Sequence, residues 1–253
     1  MINIALIGAN GKMGQVISRL LEDSETARVS FGIDINTACN STFPVYSSLS
    51  EAKEECDVII DFSHPSTLSA TLNYAKARGK AAVIATTGLA NEQIEDIKQT
   101  AENIPLFFSA NMSLGVNLLI ELAKKATMLL EENFDIEIIE KHHNQKIDAP
   151  SGTALAIADA INETSIKANE YVYDRHSTRK KRSKNEIGIH SLRGGTIVGE
   201  HSVIFAGTDE IIELKHTATS KEVFAVGAIK AAAFLIGKKP GLYNMGNLIE
   251  GVC

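Results

Sequence analysis

The sequence predicts an α/β fold in two domains: an N-terminal parallel sheet with helices on both faces, and a smaller α+β domain built on an open mixed sheet. Three observations carry this. Short apolar, β-branched runs alternate with helix-period segments up to about Asn111. After a long helical segment the strand-like runs come in closer succession, as antiparallel pairs do. A glycine-rich turn joins the first strand to the first helix.

The elements follow in order. Ile2 to Ile7 reads as a short buried strand, and Gly8-Ala-Asn-Gly-Lys-Met-Gly14 leads from it into a helix from Gln15 to about Asp23. A second strand, Val29 to Ile33, ends at Asp34, twenty positions after Gly14. This is the Rossmann-type nucleotide-binding βαβ pattern. Its glycines allow a tight turn and close approach of a pyrophosphate, and the acid is placed to bond ribose hydroxyls. Gly8, Ala9, Asn10, Gly11, Lys12, Met13, Gly14 and Asp34 are therefore candidate cofactor contacts. The spacing is a variant of the commoner Gly-x-Gly-x-x-Gly, and a purely structural turn is the competing reading. The sequence of strand, turn, helix, strand and acid favours the nucleotide. Val58 to Phe62, a helix from Ser66 to Arg78, Ala82 to Ala85, a helix from Asn91 to Glu102, and Leu106 to Phe108 continue the alternation. Thr86 and Thr87 end a strand where an open α/β sheet binds ligands.

A helix from about Gly115 to Leu130 leads into the second region, with strands Phe134 to Ile139, Ile187 to Leu192, Thr196 to Phe205 and Glu210 to Thr217, and Gly207-Thr-Asp209 as a turn. A last helix, Lys221 to Ile236, precedes the tail Gly241 to Ile249. The expected division is 1–113, completed by 222–253, and 114–221.

The stretch Glu140-Lys-His-His-Asn-Gln-Lys-Ile-Asp-Ala-Pro-Ser-Gly-Thr-Ala154 concentrates the chemistry. His142, His143 and Lys146 leave a strand, and Ser151, Gly152 and Thr153 stand at the start of a helix whose free N–H groups suit an anion. Proton-transfer groups beside an anion cradle suggest an enzyme acting on a small carboxylate or phosphate. No third ligand stands at a usual spacing for zinc, so no metal is expected. His64, His176, His190, His201 and His216 read as ordinary polar residues of loops and strands.

Together these motifs resemble the 4-hydroxy-tetrahydrodipicolinate (dihydrodipicolinate) reductase family over nearly the whole chain. Besides the glycine run and the segment 140–154, the matching stretches are Asp61-Phe-Ser-His-Pro65, Ala85-Thr-Thr-Gly88, Ser109-Ala-Asn-Met-Ser-Leu-Gly-Val-Asn117, Arg193-Gly-Gly195, Gly199-Glu-His201 and Gly241-Leu-Tyr-Asn-Met245. The resemblance implies reduction of 4-hydroxy-tetrahydrodipicolinate to tetrahydrodipicolinate with NADH or NADPH, in the diaminopimelate route to lysine. It implies His142 as acid/base, Lys146 as proton donor, and His143, Ser151, Gly152 and Thr153 as contacts of a small dicarboxylate substrate. It adds Ala85, Thr86, Thr87, Ser109, Ala110, Asn111 and Met112 to the cofactor contacts, Asn111 either touching the cofactor or fixing the hinge. It further implies a homotetramer paired through the second domain's sheet, and a chain end that returns to the nucleotide domain. Three positions depart from the family's pattern: Ala85 replaces its first glycine, Ser220-Lys221 stands where arginine often follows serine, and Ile35 where NADPH-using members often carry arginine. Asp34 followed by Ile35 favours NADH, or both cofactors with NADH ahead.

Composition agrees. The 253 residues are 44% hydrophobic, enough for two modest cores, and the formal charge of −6 gives no general attraction to nucleic acid or anionic membrane. The basic run Arg175 to Lys184 has no aromatic platform beside it and reads as a solvated loop. Cys39, Cys56 and Cys253 show no paired or metal-ligand spacing and read as free thiols in a reducing compartment. No membrane-length apolar run and no leader stand out, so the expected location is the cytoplasm. The rival readings are another two-domain dehydrogenase, for which no nucleophilic cysteine motif is present, and a non-catalytic nucleotide-binding regulatory protein, which has no need of His142 and Lys146.

Overall fold

The computed structural model describes residues 1–38 and 41–251. Cys39 and Cys253 lie outside the described residues. The chain divides into two compact units, Met1–Leu114 with the chain from Glu222 onward, and Gly115–Lys221.

The first unit is built on a parallel sheet of strands β1 (Ile2–Ile7), β2 (Ala27–Ile33), β3 (Val45–Tyr46), β4 (Val58–Asp61), β5 (Ala81–Ile84), β6 (Pro105–Phe108) and β12 (Gly241–Tyr243), in the order β12-β6-β5-β4-β1-β2-β3. The order turns outward in both directions from β1 and β4, the topological point at which such sheets bind ligands beyond their strand ends. β4 and β5 are buried at every position, which is why they read as continuous apolar runs. One face packs on α1 (Lys12–Leu21) and α6 (Glu222–Leu235), the other on α2 (Leu68–Arg78) and α3 (Asn91–Ala101). A single 3₁₀ turn, Pro65–Thr67, precedes α2. Small residues along α6, Ala225, Ala228, Ala231 and Ala232, let it lie close to the sheet. A short helix α7 (Met245–Glu250) follows β12, so the returning chain completes this unit.

The second unit carries strands β7 (Asp135–His142), β8 (Glu170–Val172), β9 (Glu186–Arg193), β10 (Gly199–Ala206) and β11 (Ile211–Ala218), in the order β11-β10-β7-β9-β8. β10 runs antiparallel to both neighbours, whereas β7, β8 and β9 are mutually parallel, so the sheet is mixed. One face carries Ile136, Ile138, Ile187, Ile189, Val203 and Phe205 against α4 (Leu114–Leu130) and α5 (Gly152–Thr164).

Three short strands escape sequence reading: β3, β8 and β12 have two or three residues each, too few for a period to show. β7 runs three residues beyond the expected Ile139. Its alternation of buried positions continues through Glu140 and His142, polar residues that the sequence reading left outside the strand. The basic loop 175–184 is largely exposed, as expected, but two of its arginines turn back. Arg175 forks onto Glu137 and Glu186, and Arg182 onto Asp135 and Glu137. Glu186 is fully buried beneath them and held down at about pKa 2, chiefly by Arg175.

Candidate active site

The glycine turn in the first unit is shaped by steric need. Gly8 has φ +81°, and a Cβ there would lie 2.8 Å from the Phe62 carbonyl oxygen. A Cβ on Gly14 would come within 2.2 Å of the Gly8 carbonyl oxygen, so only glycine lets α1 start this close to the turn. The helix begins after Gly11 with no side-chain cap and no acid in its first turn, leaving N–H groups directed at the loop. Asp34 Oδ2 accepts from the Asn10 amide at 2.9 Å and Oδ1 from the Asn36 amide at 3.0 Å, which ties the end of β2 to the turn. A hollow of about 220 Å³ beside Ala9 and Asn10 is walled by Gln15, Thr42 and Phe43.

A second cleft of about 310 Å³ opens at the ends of the strands. It is lined by Met13, Ala85, Thr86, Thr87, Ala110 and Met112, with Phe62 and Phe224 as aromatic walls. Two of its lining residues, Ser63 and Thr86, are held by a buried carboxylate to which the sequence assigned no role of its own. Asp61, at the end of β4, is fully buried and accepts from the Ser63 amide at 2.9 Å and from the hydroxyls of Thr71 and Thr86, each at 3.0 Å. Ser109 and Asn111 fold the following segment on itself: Ser109 Oγ donates to the Asn111 carbonyl, and Asn111 Oδ1 accepts from the Ser113 amide. A cradle that a Cβ would fill, an uncapped helix start and an acid at the end of β2 suit a dinucleotide.

The second unit brings together the acid/base segment. His142 ends β7, is 9% exposed, and its Nδ1 lies 2.6 Å from Glu140 Oε2. Glu140 is fully buried, two residues back on the same face of the strand. Arg193, which stands opposite His142 on β9, forks onto both Glu140 oxygens at 2.8 and 2.7 Å, and the Ser151 amide donates to Oε1 at 3.1 Å. Burial works against this charge, but Arg193 and His142, with Ser191, outweigh it and hold Glu140 down at about 2. A second ring, His201 on β10, meets His142 edge-on at 5.3 Å between centroids and contacts Ser151 Oγ through Nε2 at 3.1 Å. Burial, then the nearby His142, pushes His201 down to about 4, so it stays neutral near pH 7. A Cβ on Gly199 would lie 3.2 Å from His142 Nε2, so the glycine keeps that nitrogen uncrowded.

The expected anion cradle is more committed than its sequence implies. Ser151 caps α5, its Oγ accepting from the Ala154 amide at 3.1 Å. Its own amide is taken by Glu140. Lys146 Nζ pairs with Asp148 Oδ1 at 2.8 Å, and the Asp148 carboxylate lies below its ordinary range chiefly through Lys146. His143 follows β7, half-buried, in the turn closed by the Lys146 amide on the His143 carbonyl.

Two family descriptions match the chain: dihydrodipicolinate reductase, N-terminus, over residues 2–112, and dihydrodipicolinate reductase, C-terminus, over residues 115–249. The chain belongs to the dihydrodipicolinate reductase family. Among its relatives, the 4-hydroxy-tetrahydrodipicolinate reductase of Caldanaerobacter subterraneus subsp. tengcongensis is 54% identical over 99% of both chains. That of Clostridium tetani is 50% identical over 99% of this chain and 98% of the relative. A solved dipicolinate-bound dihydrodipicolinate reductase from Paenisporosarcina sp. TG-14 superposes with a TM-score of 0.84 at 26% identity, covering 98% of this chain and 99% of that one. A myo-inositol dehydrogenase from Corynebacterium glutamicum, at 17% identity and TM-score 0.60, shares the fold.

Of the residues that complete this reductase's cluster, Glu140, Asp148, Arg193, Gly199 and His201 had no role in the sequence reading. Glu140 had a signal in its spacing, two residues before His142. The others reach the cluster only through strand pairing or loop closure. Among the described residues no group of histidine, cysteine and acid side chains fits a metal ion, and no helix is long and apolar enough to cross a membrane.

Proposed function

We propose that the chain is an NAD(P)H-dependent 4-hydroxy-tetrahydrodipicolinate reductase of the diaminopimelate route to lysine, with His142 and Lys146 as its acid/base pair. The observation that carries the assignment of roles is the convergence of His142, Lys146 and the start of α5 in one compact unit. Bound nicotinamide supplies hydride. Gly8, Ala9, Asn10, Gly11, Lys12, Met13, Gly14 and Asp34 hold the dinucleotide in the first unit, together with Ala85, Thr86, Thr87 and the segment Ser109 to Met112.

The substrate carries two carboxylates. His143, Ser151, Gly152 and Thr153 bind them; the Ser151 amide is taken by Glu140, so Ser151 contributes through its hydroxyl, which keeps a bonding position beyond its two contacts. Asp148 pairs with Lys146 at 2.8 Å and so holds the proton donor in the turn that follows His142. Once the 4-hydroxyl has left as water and the ring is conjugated, addition of hydride leaves electron density that a proton must neutralise, and Lys146 delivers that proton beside His142.

NADH is preferred, or both cofactors are used with NADH ahead: Asp34 repels a 2′-phosphate, and Ile35, 99% exposed, offers it no cation. The enzyme is a cytoplasmic homotetramer. The sheet face away from its core exposes Ile211 by 70% and Leu192 by 48%, as a surface awaiting cover does. The test of the activity is a mixture of fresh synthase product, this protein and NADH or NADPH. Loss of nicotinamide absorbance that depends on the synthase product is expected. No loss with either cofactor would overturn the assignment.

A further inference from the structure

We infer that Glu140 is a positioning residue of the reaction: it holds His142 in the tautomer that carries hydrogen on Nδ1 and leaves Nε2 to meet the substrate. The inference rests on the acid/base reading of His142. The Glu140 carboxylate is fully buried and faces donors: both Arg193 Nη groups, the Ser151 amide and the His142 ring. A guanidinium and an amide have hydrogens to give and no lone pair to offer. A protonated Glu140 would set its own hydrogen against them, so it is an anion. An anion has no hydrogen for His142, and at 2.6 Å from Oε2 it is Nδ1 that must donate.

The same carboxylate reaches the start of α5. Through Oε1 it takes the Ser151 amide, and Arg193 carries the connection on to the Asp148 carbonyl at 2.6 Å. One buried group thus fixes the ring, the helix start that receives the substrate, and the turn that bears Lys146. Gly199 keeps a Cβ from crowding Nε2 on the other side of the ring. Holding a base through its far nitrogen is the general means of orienting a catalytic imidazole.

The test combines a spectrum and a coupling. In protein labelled with ¹⁵N-histidine, long-range ¹H–¹⁵N correlation should show the His142 ring, identified by its loss in His142→Asn, as the Nδ1–H tautomer. Glu140→Gln should lower kcat about tenfold to a hundredfold, with KM for substrate changed less than about threefold. In the His142→Asn background the same change should matter less than about twofold, because Glu140 acts through the ring. Glu140→Asp, which keeps the charge, should recover part of the loss. The urea midpoint and circular dichroism report folding of the variants, and the tautomer of the unmutated enzyme stands even where Glu140→Gln fails to fold. An Nε2–H tautomer, or equal effects of Glu140→Gln with and without His142, would overturn the inference. His142→Asn with near-normal turnover would overturn the acid/base reading and this inference with it. A crippled His142→Asn beside a normal Glu140→Gln would overturn only the inference.

Discussion

Thr86 Oγ1 donates to Asp61 Oδ1 at 3.0 Å, joining the ends of β5 and β4 across 25 residues of sequence beneath the cleft of the first unit. With its hydrogen committed, the Thr86 hydroxyl presents only lone pairs to the cleft, a surface suited to an amide donor. Thr86→Val keeps the volume and removes both functions. The dissociation constant for NADH should rise about two- to tenfold, the value of one neutral hydrogen bond. Titration of nicotinamide fluorescence checks this. An unchanged constant would mean the cofactor does not use this wall.

Cofactor choice should follow the residue after Asp34. A carboxylate facing a 2′-phosphate costs on the order of 1–4 kcal/mol at a partly screened site, or about tenfold to several hundredfold if nothing compensates. The Asn10 and Asn36 amides that bond Asp34 leave lone pairs on each oxygen for ribose hydroxyls. Values of kcat/KM should favour NADH, and Ile35→Arg should move the ratio toward NADPH. A wild-type enzyme that prefers NADPH tenfold or more would show that Lys12 outweighs Asp34.

Acid should weaken the second unit in two stages. His201 sits at about 4 when folded, against an ordinary 6.5, so the unfolded chain takes a proton first as pH falls. Its contribution is whole above 6.5 and is lost as pH drops toward 4, on the order of 3 kcal/mol in all. Glu140, held at about 2, contributes stability above its ordinary 4.5 that is lost as pH falls toward 2. The urea midpoint should drop between pH 7.5 and 5, and less so in His201→Gln. A midpoint that holds level would contradict the burial of a neutral His201.

Assembly should proceed through the exposed sheet face. Ile211, on edge strand β11, is mostly uncovered and Leu192 about half so, while Val203 and Phe205 fill the core on the opposite side. Light scattering at micromolar concentration should give about four times the chain mass, and Ile211→Lys should lower it. A fully active monomer would refute the tetramer.

The fold was legible in the sequence wherever periodicity was long enough to read. The apolar runs of β1, β4 and β5, the glycine turn and the helix pattern of α4 each fix their element locally. β3, β8 and β12 are too short to show a period, and β12 earns its place only by pairing with β6, more than a hundred residues earlier. The site divides the same way. His142, Lys146 and Ser151 stand within ten residues and betray themselves by spacing. Arg193 and His201 reach His142 because β9 and β10 flank β7, a fact of strand order that no local pattern contains. Asp61 is hidden for a related reason: its donors Thr71 and Thr86 come from different elements. Arg175 and Arg182 look like solvated charge until Glu137 and Glu186 are placed beneath them.

The central claim is that the segment around His142 and Lys146 delivers the proton of the reduction. Lys146→Ala tests it most directly, in the synthase-coupled assay with NADH saturating. The account predicts kcat lower by about 10²–10⁴, the range for losing a general acid, with NADH affinity nearly unchanged because the glycine turn belongs to the other unit. A folded Lys146→Ala enzyme with near-normal turnover would contradict it.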